Sequence, residues 1–343
     1  MKNKMSLREM RADRRTRFAR IEGLGAYRPR RTVTNEEICE RIDSDDEWIR
    51  ARSGIMTRGR ASEKETLVEM GASAARAAVA DAGLVPADID CVIVATLSSM
   101  RNTPSVSAEI AHELGLRSGA FDVGAACAGF NYALTIAGDL VGGGSARRVL
   151  VVSVERLSDL TDFEDRMTAF LFADGAGAVV VGPSATPGIG AVVWGSEGAK
   201  SQAIRQHTPW DALRDPDDFA RSGSRFPALT MIGQDVYRWA TSAVAPVAEK
   251  AMAAAGVTAH DLAAFIPHQA NLRITETLVR ALRLPPAVAI ARDIVTQGNT
   301  GAASIPLAMD ALRADGAVSR GDLALVVGYG AGLVHAAQVV TIP

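Results

Sequence analysis

The sequence predicts an α/β fold made of two similar halves, and three observations support this. Helical periodicity alternates with short apolar runs, one block of sequence recurs at a fixed offset, and 48% of the 343 residues are hydrophobic. Such a composition fills a large core and excludes both a disordered chain and a small disulfide-stabilised scaffold. With 37 basic and 39 acidic residues the net charge is −2, which argues against a dedicated nucleic-acid-binding protein.

Each element follows from its local pattern. Amphipathic or Ala-rich periodicity, often followed by Gly, predicts helices over 35–42, 65–82, 104–114, 130–141 and 304–312. Continuous runs of β-branched and other apolar residues predict buried strands over 91–97, 149–154, 263–266 and 323–327. No uncharged stretch is free of Gly and Pro for long enough to predict a membrane-spanning helix.

The chain resembles itself at an offset of 173 residues, which carries Gly83 onto Gly256 and the strand at 91 onto the one at 264. The same offset matches Gly143 to Gly316, and a further gap of two residues matches Leu150 to Leu325. Two matches in register indicate an internal duplication, whose halves should meet across a cleft. We expect a basic tail over 1–17, an N-terminal half over 18–183, a connecting insert over 184–229 and a C-terminal half over 230–343.

Cys127 is the first candidate for chemistry. It lies in the segment DVGAACAG (122–129), where a strand turns directly into a helix. A helix N-terminus should lower the pKa of the thiol, and the small neighbours leave room for a substrate. From the residues alone, a small buried packing cysteine is an equally good interpretation. The sparse cysteines, without zinc-ligand spacing, indicate free thiols in a reducing cytoplasm and no metal site.

His268 and Asn299 are the next candidates. His268 follows the strand 263–266, and the duplication directs the end of that strand toward the cleft. Asn299 precedes a helix, where Asn is most often an N-cap, but the 173-residue offset places it opposite Ala126, beside Cys127. The glycine-rich segment GYGAG (328–332) lacks nucleotide-binding spacing and suits a backbone donor to an oxyanion.

These three motifs, in this order, resemble those of the β-ketoacyl-acyl-carrier-protein synthase III family of the thiolase fold. The resemblance extends from about Phe18 to the C-terminus and includes DEWI (46–49), SGI (53–55), DR (165–166) and FADGAGA (172–178). It implies a five-layered αβαβα fold of two duplicated halves related by a pseudo-dyad, and a homodimer. Membrane and nucleic-acid partners are not implied.

The resemblance also implies a reaction: decarboxylative Claisen condensation of an acyl-CoA starter with malonyl-acyl carrier protein. Such an acyltransferase begins fatty-acid or aromatic polyketide synthesis. Cys127 would carry the acyl group, and His268 and Asn299 would stabilise the enolate. Backbone N–H groups of Cys127 and Ala331 would form the oxyanion hole, and no metal or other cofactor is implied.

Residues that bind CoA are carried over in the same way. Trp48 and Arg166 would sandwich the adenine, and Arg52 would lie near the phosphates. Gly233 and Asn271 would line the pantetheine tunnel.

Three further residues concern partners and the starter. Arg273 and Lys250 would meet an acidic carrier protein. Thr103 would close the base of the acyl pocket of the partner subunit, where acetyl-preferring members often carry a bulky Phe. The smaller Thr103 predicts starters longer than acetyl.

Several positions depart from the pattern of fatty-acid synthesis, namely Met167, Gln297, Gly301 and His335. Together they are closer to the starter-selecting synthases of aromatic polyketide pathways. Two other functions stay open: transfer of the acyl group from Cys127 to a hydroxyl, an amine or a carrier protein without condensation, and a non-catalytic partner subunit. The presence of both His268 and Asn299 favours condensation, and Cys127 argues against the partner subunit.

Overall fold

The computed structural model describes residues 18–211 and 227–343, so the predicted basic tail and part of the insert lie outside it. The described helices are α1 (Asn35–Cys39), α2 (Asp46–Ser53), α3 (Leu67–Asp81), α4 (Val106–Glu113), α5 (Gly129–Gly143), α6 (Gly233–Ala255), α7 (Leu272–Ala281), α8 (Ile294–Gln297) and α9 (Ser304–Ala314). None of them is both long and apolar enough to cross a membrane.

The strands of the same ranges form two five-stranded sheets and two small ribbons. They are β1 (Phe18–Tyr27), β2 (Arg31–Thr34), β3 (Thr57–Arg60), β4 (Cys91–Ala95), β5 (Gly119–Val123), β6 (Val149–Arg156), β7 (Asp174–Ser184), β8 (Val193–Ser196), β9 (Ile204–Gln206), β10 (Leu229–Met231), β11 (Ala264–Pro267), β12 (Ala289–Ile290), β13 (Leu323–Gly330) and β14 (Val334–Thr341).

Helix boundaries follow the capping residues. Thr66 accepts a hydrogen bond from the Glu69 N–H at 3.1 Å, so α3 begins at Leu67, two residues after the predicted start. Ser105 caps α4 in the same way, with the Ala108 N–H as donor at 3.3 Å. The apolar runs alone locate the strands, and β4 and β6 begin at the predicted residues.

The two sheets have the same strand order, which confirms the predicted duplication. The first is β1-β7-β6-β4-β5, and the second is β8-β14-β13-β11-β12. Their registers also agree: Cys91 pairs with Val149 in the first sheet, as Ala264 pairs with Ala324 in the second. The two halves of the chain therefore share the same arrangement of strands.

Helices cover both sheets in five layers, as predicted. Helices α3 and α4 pack on the outer face of the first sheet, and α6 and α7 pack on the outer face of the second. Helices α5 and α9 lie between the sheets in the largest apolar cluster, to which both sheets contribute. The N-termini of these two central helices meet near the middle of the molecule.

The duplication places Asn299 differently from the prediction. Short 3-10 turns precede α5 and α9, at Ala126–Ala128 and Gly301–Ala303. The first residue of each turn has a positive φ, 43° at Ala126 and 55° at Gly301, so these two are the equivalent positions. The local offset is thus 175 residues, and Asn299 is the counterpart of Gly124 rather than of Ala126.

The boundary at residue 230 is also wrong. Strand β8, inside the predicted insert, pairs with β14 and forms one edge of the second sheet. The second half of the molecule therefore begins before Val193. A four-residue strand at a sheet edge, with alternate residues exposed, carries too little apolar sequence to be recognised.

Candidate active site

The three predicted catalytic residues line one cavity between the two halves. Its volume is about 660 Å³, and Cys127, His268 and Asn299 all contribute to its wall. Cys127 comes from the turn before α5 in the first half, and His268 and Asn299 come from loops of the second half. Ala331 also lines this cavity, directly after β13.

Cys127 is held by a tight approach of the two halves. The preceding residue, Ala126, has a left-handed backbone, which turns β5 sharply into α5. A Cβ added at Gly330 would lie 2.8 Å from Cys127 Cβ and 3.2 Å from its Sγ, so only glycine fits there. Strand β13 thereby brings its backbone against the thiol.

The protonation state of Cys127 differs from the prediction. Burial, together with the charge of Glu155, raises the pKa of the thiol to about 12, whereas the sequence predicted a lowered value. The helix N-terminus is present as predicted, but desolvation of the sulfur outweighs its effect on the pKa. The resting residue is therefore a thiol, and its proton must be removed when it reacts.

His268 is a buried, neutral imidazole. Its Nδ1 lies 2.7 Å from the Ser304 hydroxyl, and the Tyr329 ring packs edge-on at 5.3 Å between centroids. Burial lowers the pKa of His268 to about 3, so the ring is uncharged at neutral pH. Because Nδ1 is engaged by Ser304, Nε2 is the nitrogen left for a ligand in the cavity.

Asn299 presents a fixed amide donor. Its Oδ1 accepts a hydrogen bond from the Gly301 N–H at 2.9 Å, which leaves Nδ2 as the group available to a ligand. Its backbone is bonded on both sides, to the Leu171 carbonyl and to the Ala173 N–H, each at 2.9 Å. The residue is 6% exposed, so the amide has little freedom to turn.

Glu155 is a buried residue that the sequence analysis did not identify. Its carboxyl group accepts hydrogen bonds from the Ser98 hydroxyl at 2.5 Å and the Leu97 N–H at 3.2 Å, and it also accepts from the Ala302 backbone. It therefore links the end of β4 to the turn Gly301–Ala303, which directly follows Asn299 and Thr300. Burial raises its pKa to about 7. A charged residue directly after the apolar run 149–154 was the available signal.

The same carboxyl group explains the glycine at position 301. A Cβ on Gly301 would lie 3.1 Å from Glu155 Cγ, and the backbone there has φ +55°. Gly301, one of the positions that depart from the pattern of fatty-acid synthesis, thus lies directly against the side chain of Glu155.

The residues predicted to bind the nucleotide of CoA lie together at the mouth of the cavity, but no space for a base is left between Trp48 and Arg166. The Arg166 guanidinium lies 4.5 Å from the centre of the Trp48 ring, and Arg52 lies 5.1 Å from it. A base between Trp48 and Arg166 requires about 7 Å, twice the carbon–carbon contact distance. Arg166 therefore occupies the place predicted for adenine and must move to admit it.

Gly233 and Asn271 line the cavity as predicted. Nothing lies within 4 Å of a Cβ added at Gly233, so this wall is open. Asn271 caps α7 by accepting from the Arg273 N–H, and its Nδ2 donates to the Arg52 carbonyl at 2.9 Å. Its amide thus joins the two elements on either side of the mouth.

Two other predicted residues are not at this site. Lys250 is exposed on α6, 17 residues after Gly233, which is about 25 Å along the helix. Thr103 is exposed and is not part of the cavity wall of this chain. Arg273, by contrast, lies at the mouth with its guanidinium 5.4 Å from the Tyr237 ring.

Arg238 is a basic residue of the mouth that the sequence analysis did not identify. It lines the cavity and pairs with Asp235 at 2.7 Å. It lies one helical turn after Gln234 on α6, so both side chains are on the side of the helix that faces the cavity, where Lys250 is not. Across residues 18–211 and 227–343, no group of three or more His, Cys, Asp or Glu side chains is arranged to hold a metal ion.

Two family models match the chain. The model of 3-oxoacyl-[acyl-carrier-protein] synthase III matches residues 121–198, which include Cys127. The model of the C-terminal part of the same synthase matches residues 252–342, which include His268 and Asn299.

Whole proteins and solved structures agree with these models. The chain is 56% identical over 328 residues to a β-ketoacyl-[acyl-carrier-protein] synthase III of Streptomyces glaucescens, covering 95% of this chain and 97% of the relative. It is similar to the crystal structure of the priming β-ketosynthase from the R1128 polyketide biosynthetic pathway, with a TM-score of 0.93 and 48% identity over 98% of this chain and 99% of that one. For 3-oxoacyl-[acyl-carrier-protein] synthase III of Aquifex aeolicus the values are 0.85 and 35%, over 94% and 99%.

Proposed function

The chain belongs to the 3-oxoacyl-[acyl-carrier-protein] synthase III family, and from this premise we propose that it condenses an acyl-CoA starter with malonyl-acyl carrier protein. The observation that carries the proposal is the convergence of one thiol and two neutral hydrogen-bonding groups, Cys127, His268 and Asn299, on a single cavity. A thiol can hold the acyl group, and the two polar groups can stabilise an enolate.

In the first step the Cys127 sulfur attacks the thioester carbonyl of the acyl-CoA. The thiol proton passes to Nε2 of His268, which is neutral, and then to the departing CoA thiolate. Backbone N–H groups of Cys127 and Ala331 face the oxygen that becomes negative. The products are an acyl-Cys127 thioester and free CoA.

In the second step malonyl-acyl carrier protein binds with its thioester oxygen between His268 and Asn299. Loss of carbon dioxide leaves an enolate, whose oxygen receives hydrogen bonds from Nε2–H and Nδ2–H. The enolate carbon attacks the acyl carbonyl and expels the Cys127 thiolate, which takes up one proton from solvent to restore the resting thiol. The Ser304 hydroxyl can donate to Nδ1 of His268 or accept from it, so Nε2 can be an acceptor in the first step and a donor in the second.

No metal or redox cofactor takes part in the proposed reaction. Carbon dioxide loss supplies the nucleophilic carbon, and both developing oxyanions are met by N–H groups of the protein. The three cysteines are free thiols, which suits a reducing cytoplasm.

Arg238 and Arg273 are the proposed docking residues for an acidic carrier protein. Both line the mouth of the cavity, through which the phosphopantetheine arm would reach Cys127. Lys250 does not line the mouth. The nucleotide part of CoA would use the same mouth, with its base against Trp48 after Arg166 has moved aside.

We further propose a homodimer that completes the acyl pocket. Among the described residues, strand β5 forms one edge of the first sheet, and its Phe121 is 38% exposed, as is typical of a strand that pairs with a second copy. Thr103 lies in the exposed loop before α4 and would reach the acyl pocket of the partner subunit. The similarity to a polyketide priming β-ketosynthase supports a role in starting polyketide synthesis, and the small side chain of Thr103 supports a starter longer than acetyl.

Transfer to a hydroxyl, an amine or a carrier protein without condensation is the alternative. The experiment that separates the two incubates the enzyme with butyryl-CoA, malonyl-acyl carrier protein and an equal amount of holo-acyl carrier protein, whose free thiol could accept a butyryl group. It measures both carbon dioxide and the masses of the carrier proteins. Condensation gives one carbon dioxide for each 3-oxohexanoyl-carrier protein. A butyryl-carrier protein formed without carbon dioxide would contradict the proposal.

A further inference from the structure

Phe163 is held between two guanidinium groups. The Arg60 guanidinium lies 4.6 Å from the centre of its ring, and the Arg41 guanidinium lies 5.0 Å from it. We call these three residues the Phe163 clamp. They come from β3, from the segment after α1 and from the loop after β6, which are distant in sequence but adjacent in the fold.

Arg60 is the unusual member of the clamp. It is 6% exposed, and among the described residues its Nη1 and Nη2 atoms have no hydrogen-bond partner. A buried guanidinium without acceptors is unstable unless another group compensates its charge. The face of an aromatic ring does so, and it does so more strongly when the cation is desolvated. Asp174 adds a favourable charge nearby.

The loop that carries Phe163 leads to the cavity mouth and is held by its own hydrogen bonds, among them one from the Asp165 N–H to the Asp162 carbonyl at 3.2 Å. Asp162 accepts from the Glu164 N–H at 2.9 Å. The Asp165 carboxylate accepts from the Met167 N–H at 2.9 Å and from the Thr168 hydroxyl at 2.5 Å. Fixing Phe163 therefore fixes the backbone of Arg166, three residues later.

We propose that Phe163 is a positioning residue for acyl-CoA: the Phe163 clamp anchors the loop 162–168 so that the Arg166 side chain can leave Trp48, admit the base and close on it. This rests on the proposed function, in which the mouth binds the nucleotide of CoA. An anchored backbone keeps the arginine within reach of the base, whereas a loose loop carries it away.

Phe163→Leu tests the clamp because it keeps an apolar side chain but removes the aromatic face. The KM for butyryl-CoA should rise about tenfold, which is the range of one desolvated cation–π contact, with kcat unchanged. The KM for butyryl-pantetheine, which has no nucleotide, should stay at the wild-type value. Phe163→Trp keeps an aromatic face and should restore the KM for butyryl-CoA to within about twofold of wild type.

Three outcomes would overturn the clamp. They are an unchanged KM for butyryl-CoA in Phe163→Leu, an equal rise with butyryl-pantetheine, and failure of Phe163→Trp to rescue. If Phe163→Leu does not fold, Arg41→Gln can be used instead, because it removes the exposed guanidinium of the Phe163 clamp. This variant should raise the KM for butyryl-CoA by about threefold and leave the KM for butyryl-pantetheine unchanged. No rise in the KM for butyryl-CoA would equally contradict the proposal. A wild-type protein that butyryl-CoA does not acylate would instead contradict the proposed function.

Discussion

Cys127 and His268 face the cavity as a neutral thiol and a neutral imidazole. Burial raises the pKa of Cys127 to about 12 and lowers that of His268 to about 3, so the pair does not form an ion pair at neutral pH. Charge appears only when the thioester carbonyl arrives to receive the sulfur. Because the thiolate is the reactive form of cysteine, a neutral Cys127 makes the resting site less prone to adventitious alkylation.

The two enolate donors can be tested separately from the thiol. Decarboxylation of malonyl-acyl carrier protein should fall by about 10²–10³-fold in both His268→Ala and Asn299→Ala, because each loses one donor to the enolate. Cys127 should still be acylated at the wild-type rate in Asn299→Ala, and more slowly in His268→Ala, since His268 also accepts the thiol proton. Carbon dioxide release and intact-protein mass report the two half-reactions. Wild-type decarboxylation in both variants would remove these residues from the enolate site.

Glu155 should make the reactivity of Cys127 depend on pH around 7. Its carboxyl group, with a pKa of about 7, is neutral below this pH and negative above it. The negative form raises the pKa of the nearby Cys127 thiol and so reduces the thiolate fraction. Alkylation of Cys127 by iodoacetamide should therefore rise less steeply with pH near pH 7 than above it.

Glu155→Gln should remove this effect. The logarithm of the alkylation rate should rise linearly with pH in the variant, and the rate above pH 7 should exceed that of the wild type. Peptide mass spectrometry separates Cys127 from Cys39 and Cys91. Superimposable wild-type and variant profiles would show that the Glu155 charge does not act on the thiol.

At the scale of elements, the sequence predicted what depends on local pattern. The strands β4 and β6 begin at the expected residues, and caps shift α3 and α4 by two residues each. The position of Asn299 relative to Cys127 could not be predicted, because the two central helices have different lengths, 15 and 11 residues. The raised pKa of Cys127 was equally inaccessible, since burial is a property of the assembled halves.

The close approach of β13 to the nucleophile gives an element-scale prediction. Gly330→Ala would place a methyl group 2.8 Å from Cys127 Cβ, so the turn must shift and acylation should slow by at least about tenfold. Gly124→Ala is the matched control, because nothing lies within 4 Å of its added Cβ. Equal acylation rates in the two variants, measured by rapid-quench mass spectrometry, would contradict the importance of this contact.

At the scale of the molecule, the two duplicated halves contribute different residues to the cavity. The first half supplies the proposed nucleophile, Cys127, whose counterpart in the second half is Ala302. The second half supplies His268, whose counterpart at the end of β4 is Ala95. The two equivalent halves therefore contribute different residues to the wall of one shared cavity.

The dimer and the starter pocket provide the whole-molecule prediction. The synthase should sediment as a dimer, and Thr103→Phe should shift its preference from butyryl- and hexanoyl-CoA toward acetyl-CoA by filling the pocket of the partner subunit. Each methylene that no longer fits costs about 0.8 kcal/mol, or about fourfold in kcat/KM. A monomer, or unchanged selectivity in Thr103→Phe, would contradict the shared pocket.

The covalent intermediate on Cys127 is the central claim, and intact-protein mass spectrometry with peptide mapping tests it most directly. After incubation with butyryl-CoA, the wild-type protein should gain one butyryl group on Cys127, and malonyl-acyl carrier protein should discharge it. Cys127→Ala should fold with an unchanged Tm and gain nothing. A butyryl group on Cys39 or Cys91, or a Cys127→Ala protein that still forms 3-oxohexanoyl-carrier protein, would contradict the account.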